Sequence, residues 1–324
     1  MKRILVIRGG AIGDFILTLP ALRALREAYP AAHFEILGYK HIVALAEDRY
    51  YAQAVRSIEY APLSSFFAKN SEPAGELADH FASFDLILSY LYDPDGIFEM
   101  NLRRCGVENL LRGPSKLDNS QHAARQLSRP LEELGIATHD FSATIFPSPQ
   151  DRQFAHDFLR DVARPIVAIH PGSGSETKNW PLRNWIELGN DLLGRSAPRS
   201  GGLPATDSDR RCSGERRSLV IVSGEADQSQ VAPLESIWKN ERVAFAKNLP
   251  LPQLAAVLEQ TTFLGHDSGI SHLAAAAGAN CILLFGPTDP KVWAPQNDNV
   301  HVIRAPDGEL RKLEVDLVRA ALRA

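Results

Sequence analysis

Short apolar runs recur along the chain at residues 4–7, 34–37, 86–88, 166–169, 219–222, 262–264 and 281–285. Each is almost continuously apolar instead of alternating. That pattern is expected of strands buried on both faces, as in a parallel sheet covered by helices. Between the runs lie longer stretches with helical spacing. In 16–28, Leu19, Leu22 and Leu25 form one stripe, with Arg23, Arg26 and Glu27 between them; 182–193 and 254–258 read similarly. Strand–helix alternation of this kind predicts βαβ units and the α/β class.

The alternation runs twice, over about 3–146 and again over about 165–303. The segment Phe146-Pro147-Ser148-Pro149 breaks it, and Ser148 is suited to cap a helix reaching about 162. Two Rossmann-like domains are therefore expected, 1–147 and 148–324. A last helix over 309–323 is expected to return onto the N-terminal domain. Residues 195–217 are rich in Ser, Gly, Pro and Arg without apolar period and read as a disordered loop.

Length and composition agree with two cores, since the chain has 324 residues, 44% of them hydrophobic, and single cores stop growing near ~250–300 residues. The net charge of −4 gives no support to a nucleic-acid partner. Cys105, Cys212 and Cys281 form no metal-ligand spacing and read as reduced thiols. The apolar run at 4–7 is too short for a signal peptide, and the stretch 273–285 is too short to span a bilayer. A cytoplasmic protein is expected.

Three loops follow predicted strands, where open parallel sheets bind ligands. The first is Arg8-Gly9-Gly10-Ala11-Ile12-Gly13-Asp14. Its glycines, Gly9, Gly10 and Gly13, permit close backbone approach to a ligand, and the helix that follows favours negative charge. It is not a dinucleotide fingerprint: Arg8 stands where the first glycine is needed, and the second strand ends in Leu37-Gly38-Tyr39-Lys40 without the ribose acid. An NAD-dependent oxidoreductase is disfavoured on that ground. Asp14 reads either as a helix N-cap or as a general base. The second loop, 170–181, contains Ser173, Gly174, Thr177 and Lys178, hydroxyl and amide donors with one mobile cation, which suit a diphosphate. Trp180 reads as a packing residue. The third loop, 265–272, places Asp267, Ser268 and Gly269 before an alanine-rich helix whose N-terminus can hold phosphate or sugar oxygens; Asp267 reads as N-cap, as sugar-hydroxyl acceptor, or both. Asp93-Pro94-Asp95 spells a metal-binding triplet but reads as a turn.

Taken together, ILVIRGGAIGDFILTLPALRALREAYP, HPGSGSETKNWP and DSGISHLAAAAGANCILLFGPTDPKVWAP resemble glycosyltransferase family 9, the heptosyltransferases of lipopolysaccharide core assembly. The resemblance covers about 1–40 and 166–295. It implies a GT-B architecture, two Rossmann-like domains facing across a cleft, with acceptor bound by the first and nucleotide sugar by the second. It also implies inverting, metal-independent transfer from ADP-heptose, with no cofactor and no metal ligands. Asp14 matches the family's catalytic base, Lys178 the residue supporting the donor diphosphate, Ser173 the hydroxyl residue upstream of it and Asp267 a donor contact; His272 matches a family histidine. The ribose acid corresponds to Glu225 or Asp227, and the sequence does not choose between them. The implied acceptor is a lipid-linked glycan, which carries an expectation of peripheral contact with the inner membrane. The alternatives are a family member using another nucleotide sugar or acceptor, and a non-catalytic nucleotide-sugar binder.

Overall fold

The computed structural model describes residues 1–72, 75–195, 216–224, 227–239 and 241–323. Most of the loop predicted at 195–217, together with Cys212 and Glu225, lies outside the described residues. The chain divides into two compact units, Met1–Ser148 and Pro149–Ala324.

The first unit is built on a five-stranded sheet in the order β3-β2-β1-β4-β5. Its strands are β1 (Arg3–Arg8), β2 (His33–Gly38), β3 (Ala54–Ser57), β4 (Leu86–Ser89) and β5 (Leu110–Arg112). All pair in parallel, with Leu5 of β1 opposite Glu35 of β2 and Ile87 of β4. The second unit has a six-stranded parallel sheet in the order β11-β10-β9-β6-β7-β8. Here the strands are β6 (Ile166–His170), β7 (Ser218–Ser223), β8 (Val243–Lys247), β9 (Thr262–His266), β10 (Asn280–Phe285) and β11 (Val300–Arg304).

In both sheets the first strand of the unit lies inside, and the chain winds outward from it in two directions. The order therefore reverses between β1 and β4 in one unit and between β6 and β9 in the other. Connections leave such neighbouring strands toward opposite sides, so a crevice opens at their carboxyl ends, and ligands of open α/β sheets bind there. The three loops singled out above follow β1, β6 and β9.

The seven apolar runs are the seven interior strands. The four strands without such a run, β3, β5, β8 and β11, are the four sheet edges, and their residues are mostly half-buried or exposed.

The core of the second unit gathers Trp180, Trp185 and Trp238 with Val167, Ile169, Leu219, Ile221 and Leu264. The C-terminal segment belongs to this core. Val315, Val318 and Leu322 are buried in it, the last helix packs on helix Leu182–Leu192, and the Trp180 indole donates to Leu313 O at 2.9 Å. The buried face of this helix thus lies within the second unit's own core. The helix is also shorter than expected, Val315–Ala321, because Leu310 and Leu313 enter the core through turns.

Gly189 on helix Leu182–Leu192 lies flat against the Trp238 ring; a Cβ there would stand 2.3 Å from the indole. All four tryptophans lie in the second unit, so their fluorescence reports its unfolding. Gly189→Val is expected to lower the urea midpoint of that transition, with a stability loss of ~1–3 kcal/mol as for other overpacked cores. An unchanged midpoint would show that the Trp238 ring yields without cost.

Candidate active site

The loop after β1 is organised by Arg8 and Asp14. Arg8 ends β1 and is buried, its Nε 3.0 Å from Thr18 Oγ1 and its Nη2 3.1 Å from Asp14 O. A buried guanidinium is costly unless its donors are met. Burial pushes the Arg8 pKa down, partly opposed by the Asp14 charge. Asp14 itself is not the N-cap. The cap of helix Ile12–Ala28 is Ala11, whose side chain has no acceptor. Asp14, three residues on, reaches back instead, and Ala11 N donates to its Oδ2 at 2.8 Å. The other oxygen, Oδ1, stands 3.5 Å from Arg8 Nη2, and the side chain remains 39% exposed. The result is a carboxylate oriented through one oxygen by Ala11 N and through the other by the Arg8 guanidinium, with its side chain still partly exposed. Gly10 makes this possible: its φ is +94°, and a Cβ there would come within 2.7 Å of Asp14 Oδ2. Gly9 and Gly13 flank this seat in the loop and the first helical turn.

In the second unit the loops after β6, β9 and β10 meet around Asp267. Its Oδ2 accepts from Lys178 Nζ and from Thr288 Oγ1, both at 2.7 Å. Asp267 is not a helix cap; that place is taken by Ser268, whose hydroxyl accepts from Ser271 N at 3.4 Å ahead of helix Gly269–Ala276. Gly269 is the first residue of that helix, two positions after Asp267. Ser173 Oγ lies 2.8 Å from both Asn179 Oδ1 and Ser175 O, and Ser175 Oγ lies 2.9 Å from Thr177 Oγ1, so hydroxyls of this loop brace it from within. Gly174 has open space where a side chain would be. His272 is buried in helix Gly269–Ala276.

Two buried imidazoles fix these loops. His266, the last residue of β9, accepts from Trp180 N at 2.8 Å through Nε2, and its Nδ1 lies 3.4 Å from Gly172 O. An acceptor at Nε2 requires the neutral ring with its proton on Nδ1. Burial pushes its pKa down to about 3. His170, the last residue of β6, bridges Asp227 Oδ2 at 3.0 Å and Ser268 Oγ at 3.4 Å. Asp227 also accepts from Gly224 N at 3.1 Å. Burial alone would raise the Asp227 pKa, but the His170 hydrogen bond and charge more than offset it and hold it low. Its Oδ1 packs so tightly on Gly172 that a Cβ there would stand 2.0 Å away. Asp227 is thus turned into the protein.

The structure therefore brings together Lys178, Asp267 and Ser268, and places Asp227 one hydrogen-bonded step away through His170. Asp14 has its own seat in the other unit. Sequence reasoning assigned no role to Thr288, His170, His266 or Arg8. The signal available was position: all four stand at or just beyond the carboxyl end of a strand. Asp93 accepts from Phe98 N and Glu99 N, opening helix Ile97–Arg104, so the Asp-Pro-Asp triplet serves a turn. Among the described residues, no three His, Cys, Asp or Glu side chains gather as a metal cluster. Among them also no helix is long and apolar enough to cross a membrane.

Two Rossmann-like parallel-sheet units, each with polar loops at its switch point, define the fold class. The comparisons with known proteins agree. A family model for glycosyltransferase family 9 (heptosyltransferase) matches residues 212–317. Lipopolysaccharide heptosyltransferase 1 of Escherichia coli O18:K1:H7 is 25% identical, the match covering 98% of this chain and 96% of that protein. The glycosyl transferase family 9 structure from Veillonella parvula DSM 2008 superposes with a TM-score of 0.78 at 19% identity, over 99% of this chain and 96% of that one. The E. coli heptosyltransferase WaaC solved with ADP gives 0.68 at 18% identity, over 99% of each chain. The chain is thus similar to glycosyltransferase family 9 proteins, through the family model over residues 212–317 and through a heptosyltransferase relative over nearly its whole length.

The His266 ring supplies a test of the site's scaffold. Unfolded, it takes a proton near its ordinary value of 6.5; folded, it resists until about 3. The unfolded chain binds more protons in that window, so the contribution is complete above 6.5 and is lost as pH falls toward 3. The loss is on the order of several kcal/mol at the acid end. His266→Gln keeps a side-chain acceptor but does not titrate. Urea midpoints of the second unit, measured from pH 7 to 4, are expected to fall more steeply for the wild type than for the variant. Parallel curves would show that the ring is not held neutral.

Proposed function

We propose that this transferase moves a heptose from ADP-heptose to a lipopolysaccharide core acceptor, with inversion and without a metal. The observation that carries the reading is the cluster of Lys178, Asp267 and Thr288 at the β6–β9 switch point, beside the N-terminus of helix Gly269–Ala276. A mobile ammonium, a hydroxyl and helix amides are the groups that stabilise a departing nucleoside diphosphate. The second unit is accordingly the donor domain and the first, with Asp14, the acceptor domain. Asp227 is assigned a positioning role, because His170 and Gly224 occupy its carboxylate. Ribose recognition then falls to Glu225 by sequence position alone, and Ser173, Gly174 and Thr177 shape the diphosphate loop. Ser268 and Gly269 present the helix amides; His272, buried, supports that helix.

In this mechanism the Asp14 carboxylate takes the proton of the acceptor hydroxyl as that oxygen bonds to the anomeric carbon. The bond from that carbon to the diphosphate oxygen breaks, and its electron pair leaves with ADP. Lys178 and the helix amides offset the charge that develops. The acceptor is a lipid-linked glycan on the cytoplasmic side of the inner membrane, where the enzyme works in peripheral contact.

The first experiment is a thermal-shift panel of ADP, ADP-heptose, UDP, GDP and NAD, followed by ADP release with and without acceptor in the presence of EDTA. Stabilisation by ADP and ADP-heptose alone, with acceptor-dependent and EDTA-resistant release, is expected. A preference for UDP or GDP would leave the fold and mechanism but remove the donor; binding without release would make the chain a binder only.

Two substitutions separate the roles. Asp14→Asn retains the acceptor for Ala11 N but cannot take a proton, and turnover is expected to drop ~10²–10⁴-fold with ADP affinity unchanged. Parallel loss of ADP binding would mean that Asp14 is purely structural. Lys178→Ala is expected to weaken ADP by ~tenfold or more, the usual cost of a charged hydrogen bond, and adenosine scarcely at all. Equal weakening of both would refute the diphosphate contact.

A further inference from the structure

The first unit contains a cavity of about 170 Å3 that belongs to none of the three loops. Leu5 and Leu37, on β1 and β2, line it from the sheet; Leu63, Leu77 and Phe81 line it from the segments that cover that face. Into this apolar wall β2 places Glu35, buried at 3% exposure. A carboxylate there is costly unless paired. Its partners are Arg56 Nε at 2.7 Å and His80 Nε2 at 3.0 Å, and both go to the same oxygen, Oε1. Among the described residues no donor reaches Oε2. Burial alone would raise the Glu35 pKa, but His80 and then Arg56 more than offset it and hold it below the usual carboxylate range. An ionised acceptor thus stands in a leucine-lined space, beside the exposed Arg56 and Tyr60.

The chemistry of an occupant follows. The volume is close to that of apolar cavities that take up a benzene ring, ~150 Å3. Arg56 already balances the charge of Glu35, so a cationic ligand would bring a second positive charge beside the guanidinium. An uncharged hydroxyl can donate to Oε2, the oxygen that Arg56 and His80 leave unused, without that penalty. We propose that this cavity is a binding site for a small uncharged molecule with an apolar ring or short chain and one hydroxyl, which donates to Glu35 Oε2. Ser57, also at the cavity, is followed by Ile58, whose side chain lies against Gly9. An occupant therefore sits one residue from a contact that backs the loop of Asp14.

The proposal rests on this geometry and not on the transfer reaction. Benzyl alcohol, toluene and benzylamine are the probes, titrated into the full-length protein by calorimetry. Benzyl alcohol is expected to bind saturably, one per chain, ~tenfold or more tighter than toluene, as one hydrogen bond to a charged group implies, and tighter than benzylamine. Intermolecular NOEs should run from its ring to the methyl groups of Leu63 and Leu77 in the wild-type protein, and Leu77→Phe should abolish binding. Should that variant not fold, the NOEs decide. No saturable binding, toluene binding equally well, benzylamine binding more tightly, or bound ligand without those NOEs would each overturn the proposal.

Discussion

The second unit depends on keeping one imidazole neutral. His266 sits at the end of β9 with no exposure, its ring edge-on to Trp185 at 5.3 Å between centroids. It is the acceptor for Trp180 N. The residue before that amide but one is Lys178, and the residue after His266 is Asp267. The hydrogen bond therefore clamps the two loops whose side chains form the Lys178–Asp267 pair. Protonation would turn Nε2 into a donor facing a donor, in a site where the desolvation of a charge is already prohibitive. The same Trp180 donates its indole N–H to Leu313 O, so the clamp extends to the C-terminal segment. Site geometry and core packing here share a single residue.

Three carboxylates stand at strand ends, and their surroundings separate their chemistry. Asp227 is consumed: two donors reach one oxygen and backbone crowds the other. Asp267 is shared between an ammonium and a hydroxyl on one oxygen, with Lys178 itself only part-buried. Asp14 is oriented by Ala11 N at one oxygen and by Arg8 at the other, and of the three it is the most exposed.

The limits of sequence reading were physical. Interior strands show as near-continuous apolar runs because both faces are covered, and those seven were legible. Edge strands such as β5 (LLR) and β11 (VHVIR) have one covered side and look like any half-polar segment. The loops were legible as loops, through glycines and hydroxyls. Their internal hydrogen bonding was not. Asp14 and Asp267 are both residue types favoured at N-caps, yet the caps are Ala11 and Ser268. In each case the carboxylate lies within three residues of the cap, and only the backbone path decides which residue takes the position. The ribose acid is a similar case: nothing in the order of Glu225 and Asp227 reveals that His170, 57 positions away, turns the second inward.

Loop glycines also need a different explanation from the one their motif suggests. In phosphate-binding turns glycine is read as room for a ligand. In this chain Gly10 and Gly172 make room for the protein's own acids: a Cβ at either position would collide with Asp14 Oδ2 or Asp227 Oδ1. Collision at Gly10 would displace the Asp14 carboxylate; collision at Gly172 would act through Asp227 on His170, and so on Ser268 at the head of helix Gly269–Ala276. Both glycines thus shape the chemistry at one remove, by fixing where an acid can stand. The glycine pattern at these two positions records where the chain's own carboxylates stand.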